Sequence, residues 1–223
     1  MKWKAPLTIT VMSIAMVGCA SFSPQAPTDK HVSAYIEPYS PLVLMDTERH
    51  GNMVTRDWVS SNANSSNYDS VTLAPVSVTA DIKRNSQVTS KTLTSISQYI
   101  EESLLQQMSG TNVAPHPNKT LKANVTIVGL ETRDEAFRYY EYLPIGIVLT
   151  GGSKIVGIRD EDVNLFILTE LSSTKTGEIL SLSFAGLVAP ERLENNREPV
   201  TLDLLKPTID HWIQYQVERI NRY

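Results

Sequence analysis

The chain has 223 residues, 41% of them hydrophobic and 20% charged, with a formal net charge of −4 and one cysteine. A single thiol excludes an internal disulfide and any multi-cysteine metal centre, and an acidic chain without a basic block lacks the electrostatic footprint of a nucleic-acid binder. The length suffices for one domain plus a tether, whereas two full domains would be cramped.

Residues 1–18 read as an export signal. Lys2 and Lys4 give a positive start, Ala5 to Val17 form an apolar stretch of 13 residues, and the small residue Gly18 precedes Cys19. At about 1.5 Å per residue that stretch spans roughly 20 Å, short of a hydrocarbon core of about 30 Å, and Pro6, Thr8, Thr10 and Ser13 weaken it further as a spanning helix. Gly18 and Ala20 would also suit an ordinary secretory signal cut after Ala20, but the sole thiol stands where lipid attachment needs it. The run Met16-Val17-Gly18-Cys19 resembles the lipobox of bacterial lipoproteins, departing from it at Met16, where leucine is preferred. The resemblance implies that lipidated Cys19 starts the mature protein, and Ala20 in place of aspartate implies sorting to the outer membrane. Two or three acyl chains far exceed the marginal binding of one. Loss of the signal removes two lysines and no acid, leaving 18 basic against 24 acidic side chains and a net charge of −6.

Residues 19–34 are expected to form a lipidated flexible tether, because Ala20 to Lys30 carries few large apolar residues and is interrupted by Pro24 and Pro27. Fully extended, those 11 residues would reach about 36–40 Å. The domain is expected at 35–223, with Tyr35, Ile36, Tyr39, Leu42, Val43 and Leu44 available for packing and a Ser/Asn-rich loop near 60–67. Val71, Leu73, Val76 and Val78 predict a first strand at an edge or bulge because of Pro75. Leu93, Ile96, Ile100, Leu104 and Met108 fall on one face of a helix, with Gly110 as a stop. Leu121, Ala123, Val125 and Ile127 alternate as in a strand with one buried face. A hairpin follows, from Val163–Leu171 to Leu180–Gly186, with Gly177 in its turn. Leu205, Ile209, Trp212, Ile213, Gln216, Val217 and Ile220 trace one face of a last helix, in which Pro207 is tolerable only in the first turn. The expected fold class is α+β, a two-layer sandwich of a mixed four- to five-stranded sheet with two main helices packed on one face.

Several short motifs fall in a recognisable order: the lipobox, Tyr39-Ser40-x-Leu42, Trp58 and Tyr68-Asp-Ser-Val71-Thr-Leu73-Ala-Pro75-Val76, then Leu130-Glu131-Thr132-Arg133, Leu143-Pro144, Val156-Gly157 and the hairpin Leu171 to Glu178. As a series the chain resembles a bacterial family of envelope lipoproteins classed as a domain of unknown function. The resemblance implies a lipoprotein with a single domain; it brings no activity, no cofactor and no catalytic residues.

Histidines 31, 50, 116 and 211 show no zinc-site spacing. Gly151-Gly152-Ser153-Lys154 fails the phosphate-loop order, which needs lysine directly after the second glycine. The acidic runs Arg159 to Asp162 and Glu131 to Glu135 lack the alternating ligands and central glycine of a calcium loop and read as solvated turns at strand ends. No catalytic, cofactor or metal residue emerges. The remaining candidate is a partner-binding segment, Phe137, Arg138, Tyr139, Tyr140 and Tyr142, which places four of the chain's 16 aromatics within six positions, beside a glycine-rich apolar loop from Leu143 to Ile158. Tyrosine and arginine anchor protein interfaces, and tyrosine faces also stack on sugars; the same rings could equally cap the core. The expected function is a non-enzymatic, lipid-anchored outer-membrane protein facing the periplasm, whose domain binds an envelope protein or peptidoglycan. The alternatives are a self-assembling component of an envelope or secretion complex and, behind it, an envelope hydrolase.

Overall fold

The strongest alternation in the sequence, around Val125, lies in a strand twice as long as its apolar core suggests, and the sheet is built outward from it. The computed structural model describes residues 27, 32, 35–63, 68–108, 119–134, 161–195 and 197–222. In chain order the elements are α1 (Ser40–Val43), β1 (Glu48–His50), β2 (Met53–Val59), β3 (Ser70–Leu73), β4 (Ser77–Val78), α2 (Ser90–Met108), β5 (Thr120–Asp134), β6 (Glu161–Ser173), β7 (Ile179–Val188) and α3 (Leu202–Ile220). The sheet has seven strands in the order β1-β2-β7-β6-β5-β3, with β4 also paired to β5. The short strands β3 and β4 run parallel to β5, and every other pairing is antiparallel.

The α+β class and the pair of helices on one face match expectation, but seven strands replace the expected four to five. One cause is Pro75. Lacking an N–H, it cannot continue the ladder, so the expected first strand becomes two edge pieces on either side of it. The neighbouring Val76 amide turns to the Glu101 carboxylate on α2 at 2.9 Å. The other cause is the β1–β2 hairpin, turned at Gly51 with φ 62°, whose strands are rich in charged residues.

Helix α2 starts at Thr89, whose hydroxyl accepts from the Thr92 amide at 3.1 Å, and α3 starts at Thr201, whose side chain accepts from the Leu204 amide at 3.4 Å. Pro207 stands at the sixth position of α3 and so in its second turn, not the first. Its missing N–H leaves the Asp203 carbonyl without a helical partner. Both residues are exposed, so water can serve that carbonyl.

Leu93, Ile96, Ile100 and Leu104 of α2 and Leu205, Ile209, Trp212 and Ile213 of α3 close over Val125, Ile127, Leu165, Ile167, Ala185 and Leu187 of the sheet. Trp212 is fully buried there. The opposite, outer face is covered as well: Val32, Ile36 and Leu42 pack with Phe166, Leu168, Leu182, Phe184 and Val54. Central strand β6 is therefore apolar on both faces, which makes it read as a nearly continuous hydrophobic run. Pro27 and Val32, both within the span expected as tether, are buried.

Candidate functional site

Cys19, the aromatic run Phe137, Arg138, Tyr139, Tyr140 and Tyr142, and the glycine-rich loop to Ile158 lie outside the described residues. The roots of the aromatic segment are described. Asp134 at the end of β5 pairs in register with Glu161 at the start of β6, so residues 135–160 are carried between two paired strands at one end of the longest hairpin.

That root is not made of solvated turns. Glu131 to Asp134 belong to β5, and Glu161 and Asp162 to β6. The buried Glu161 carboxylate accepts from the Gln87 amide at 2.5 Å, and the Thr132 hydroxyl donates to the other end of Gln87 at 3.0 Å. Arg192 and Asp162, both largely buried, pair at 2.7 Å. These bonds hold the hairpin end rigidly where the segment departs.

Beside it lies a pocket of about 500 Å³ on the outer face, lined by Tyr35, Tyr39, Asp81, Lys83, Val128 and Glu131 among others. A bulge makes it. Between Ile127 and Gly129 the register of β5 shifts by one residue, and Val128 turns to the outer face with Gly129 beneath the Tyr35 ring. The Tyr35 ring stacks on Phe166 with centroids 4.3 Å apart, which fixes its plane. Its hydroxyl donates to Glu131 Oε2 at 3.3 Å, and Glu131 Oε1 pairs with Arg133 at 2.7 Å. Burial, followed by the adjacent Glu131 carboxylate, pushes the Tyr35 hydroxyl up to about 12, so it stays protonated at neutral pH. With its carboxylate held by a guanidinium and its phenol fixed as a donor, this corner offers aromatic faces and hydrogen bonds.

A second polar constellation lies under α3. Asp57 on β2 accepts from the Tyr215 hydroxyl and pairs with Arg219 Nε at 3.3 Å. Arg219 also donates to the Ser181 hydroxyl and to the Leu182 carbonyl, and Gln216 donates to Ser183 at 3.0 Å. Burial, and then the Asp57 carboxylate, raises Tyr215 to about 12. Asp57, Ser183 and Thr169 share one row across β2, β7 and β6. The cluster fastens the last helix to the sheet.

Two of the four histidines, His50 and His211, fall among the described residues. His50 sits at the end of β1 with Nε2 3.6 Å from Glu48 Oε2, and its ring centroid lies 5.3 Å from that of Tyr215. His211 is on α3, and His31 and His116 lie outside the described residues. Among the described residues no group of three or more His, Cys, Asp or Glu side chains could hold a metal ion, and no helix is long and apolar enough to cross a membrane.

Sequence reading missed the pocket because its partners are remote: Tyr35 and Glu131 stand 96 positions apart. A signal existed in Gly129, a glycine inside an otherwise alternating strand, the mark of a bulge or of a close approach by another group.

The chain is 28% identical over 202 residues to the uncharacterised lipoprotein YdcL of Escherichia coli K12, covering 88% of this chain and 87% of the relative. The YdcL protein of Escherichia coli O157:H7 matches to the same extent. Among solved structures, the PelC dodecamer from Paraburkholderia phytofirmans is 11% identical with a TM-score of 0.34, covering 71% of this chain and 93% of that one, too distant a likeness for a functional argument. The sequence pattern of the family DUF3313, proteins of unknown function, matches residues 32–215, most of the folded chain, and the protein belongs to that family.

Proposed function

We propose that the protein is a non-enzymatic lipoprotein, anchored through Cys19 in the outer membrane and facing the periplasm, whose domain binds an envelope protein or peptidoglycan through residues 137–158. The observation that supports this reading is the aromatic composition of the segment together with the strand ends to which the chain joins it. The sequence between β5 and β6 carries four aromatics in six positions, and the bonded strand ends that flank it lie beside a pocket that offers the faces of Tyr35 and Tyr39 and the charges of Asp81 and Lys83. Aromatic side chains beside arginine are what interfaces use for affinity, because they bury large surfaces at little conformational cost. The lipoprotein relatives support the anchored state, and the lipobox with Ala20 after the cysteine supports the outer membrane.

The test is recovery of partners from detergent-solubilised envelopes, and sedimentation with purified sacculi, by the protein and by its Tyr139→Ala/Tyr140→Ala/Tyr142→Ala variant. Loss of recovery with an unchanged unfolding midpoint is expected. Equal recovery by both proteins would remove the segment from the binding surface.

A further inference from the structure

We infer that the β2–β7 end of the outer face lies against the lipid bilayer, with Val43 and Leu44 as the side chains that touch it. The inference rests on lipidation of Cys19, proposed above, and adds an orientation to it.

Three observations converge on that end of the sheet. Pro27 is buried there: a Cβ built on Gly186 of β7 would meet Val54 Cγ2 at 3.0 Å and Pro27 Cγ at 3.2 Å. Cys19 is eight residues before Pro27 in the chain, so the lipidated residue lies within about 29 Å of the docked proline even at full extension. That is shorter than the reach of a tether running to Lys30, and it keeps this face, rather than the helical layer, near the membrane.

The second observation is an apolar tip. Leu42 is fully buried against the sheet, whereas the next two residues turn outward, Val43 with 48% and Leu44 with 81% of their surface exposed. Among the described residues Leu44 is the most exposed large hydrophobic side chain. A lone exposed leucine is ordinary, but here two adjacent apolar residues are exposed in succession at the end of a short helix.

The third is proximity. The Val43 carbonyl accepts from Arg56 Nη1 at 3.4 Å, and Arg56 stands two residues after Val54 on β2, pointing to the same face about 7 Å along the strand. Pro27, which shares the space over Gly186 with Val54, and the Val43–Leu44 tip, bonded to Arg56, thus lie by consecutive outward residues of one strand. A bilayer within reach of the anchor is present at high effective concentration, so even shallow insertion of two side chains adds to the lipid as a second membrane signal. The contact is apolar, and it should be insensitive to salt.

The experiment uses the full lipidated protein in vesicles of phosphatidylethanolamine and phosphatidylglycerol. Lipidation consumes the only native thiol, so a Leu44→Cys variant takes a single bimane label, and Leu105→Cys on α2, at a position 46% exposed, is the control. With doxyl-labelled lipid in the vesicles, quenching at position 44 is expected to be at least twice that at 105 and unchanged by salt. Equal, weak quenching at both positions in a lipidated, vesicle-bound protein would overturn the orientation alone. An unmodified Cys19 by mass spectrometry would overturn both it and the anchoring. Energy transfer between labelled copies at 44 without lipid quenching would make a second copy the occupant and overturn the membrane contact.

Discussion

The Tyr35 ring occupies the space that any side chain at position 129 would need: a Cβ on Gly129 would lie 2.6 Å from Tyr35 Cε1. The ring cannot easily give way, because it is stacked on Phe166 at 4.3 Å and its hydroxyl is bonded to Glu131. Gly129→Ala is therefore expected to destabilise the domain by about 1–3 kcal/mol through overpacking. Urea unfolding of Gly129→Ala, Tyr35→Ala and the double variant checks this. Strong non-additivity, with the second change costing far less once the first is made, is the expected pattern.

The pair beneath α3 behaves differently. Arg219 is nearly buried and Asp57 mostly so, at 3.3 Å. Asp57→Ala leaves a buried guanidinium with reduced pairing and is expected to cost about 3 kcal/mol. Replacing both partners, Asp57→Leu with Arg219→Met, should cost clearly less than the single change, as chemical denaturation would show.

Alkaline pH should loosen both ends of the sheet. In the folded protein Tyr35 and Tyr215 titrate at about 12, against 10 in an unfolded chain. A raised value means that the folded state holds the proton more tightly, so the stabilisation is whole below pH 10 and is lost as pH climbs toward 12. Unfolding midpoints measured from pH 9 to 12 are expected to fall, and a Tyr35→Phe/Tyr215→Phe variant should show a shallower fall. Tyrosinate absorbance should show late-titrating groups, Tyr35 and Tyr215 among them.

The hairpin between β6 and β7 turns through Gly177 at φ 70°, and a methyl group added there would meet nothing within 4 Å. The cost of Gly177→Ala is then purely conformational, about 1–2 kcal/mol, while Gly177→Asn should cost less because asparagine tolerates the left-handed region. Thermal unfolding of the two variants ranks them.

The elements legible in the sequence are those with one exposed face, together with the β6–β7 hairpin, which its two apolar runs and the glycine of its turn reveal although both strands are buried. Helices α2 and α3 show such a face through Ile96, Ile100, Ile209 and Ile213 at helical spacing, and β5 through the alternation of Leu121 to Ile127. Strand β2 was opaque for the opposite reason. Both of its faces are used, Met53, Thr55 and Asp57 toward the helices and Val54, Arg56 and Trp58 toward the outer layer, so no polar-apolar alternation survives. Its charges look solvated in sequence, but Arg56 bonds the Thr47 hydroxyl at 2.9 Å and Asp57 pairs with residues more than 150 positions away. The pocket was equally hidden, since it exists only where Tyr35 crosses the β5 bulge.

Binding through residues 137–158 is tested most directly by a photocrosslinking amino acid at position 140 in living cells, with adducts identified by mass spectrometry. A specific adduct, from an envelope protein or from peptidoglycan, is the expected result. No adduct from 140, with a surface position such as Leu105 equally silent under conditions where a known envelope contact crosslinks, would contradict it and return the tyrosines to the fold.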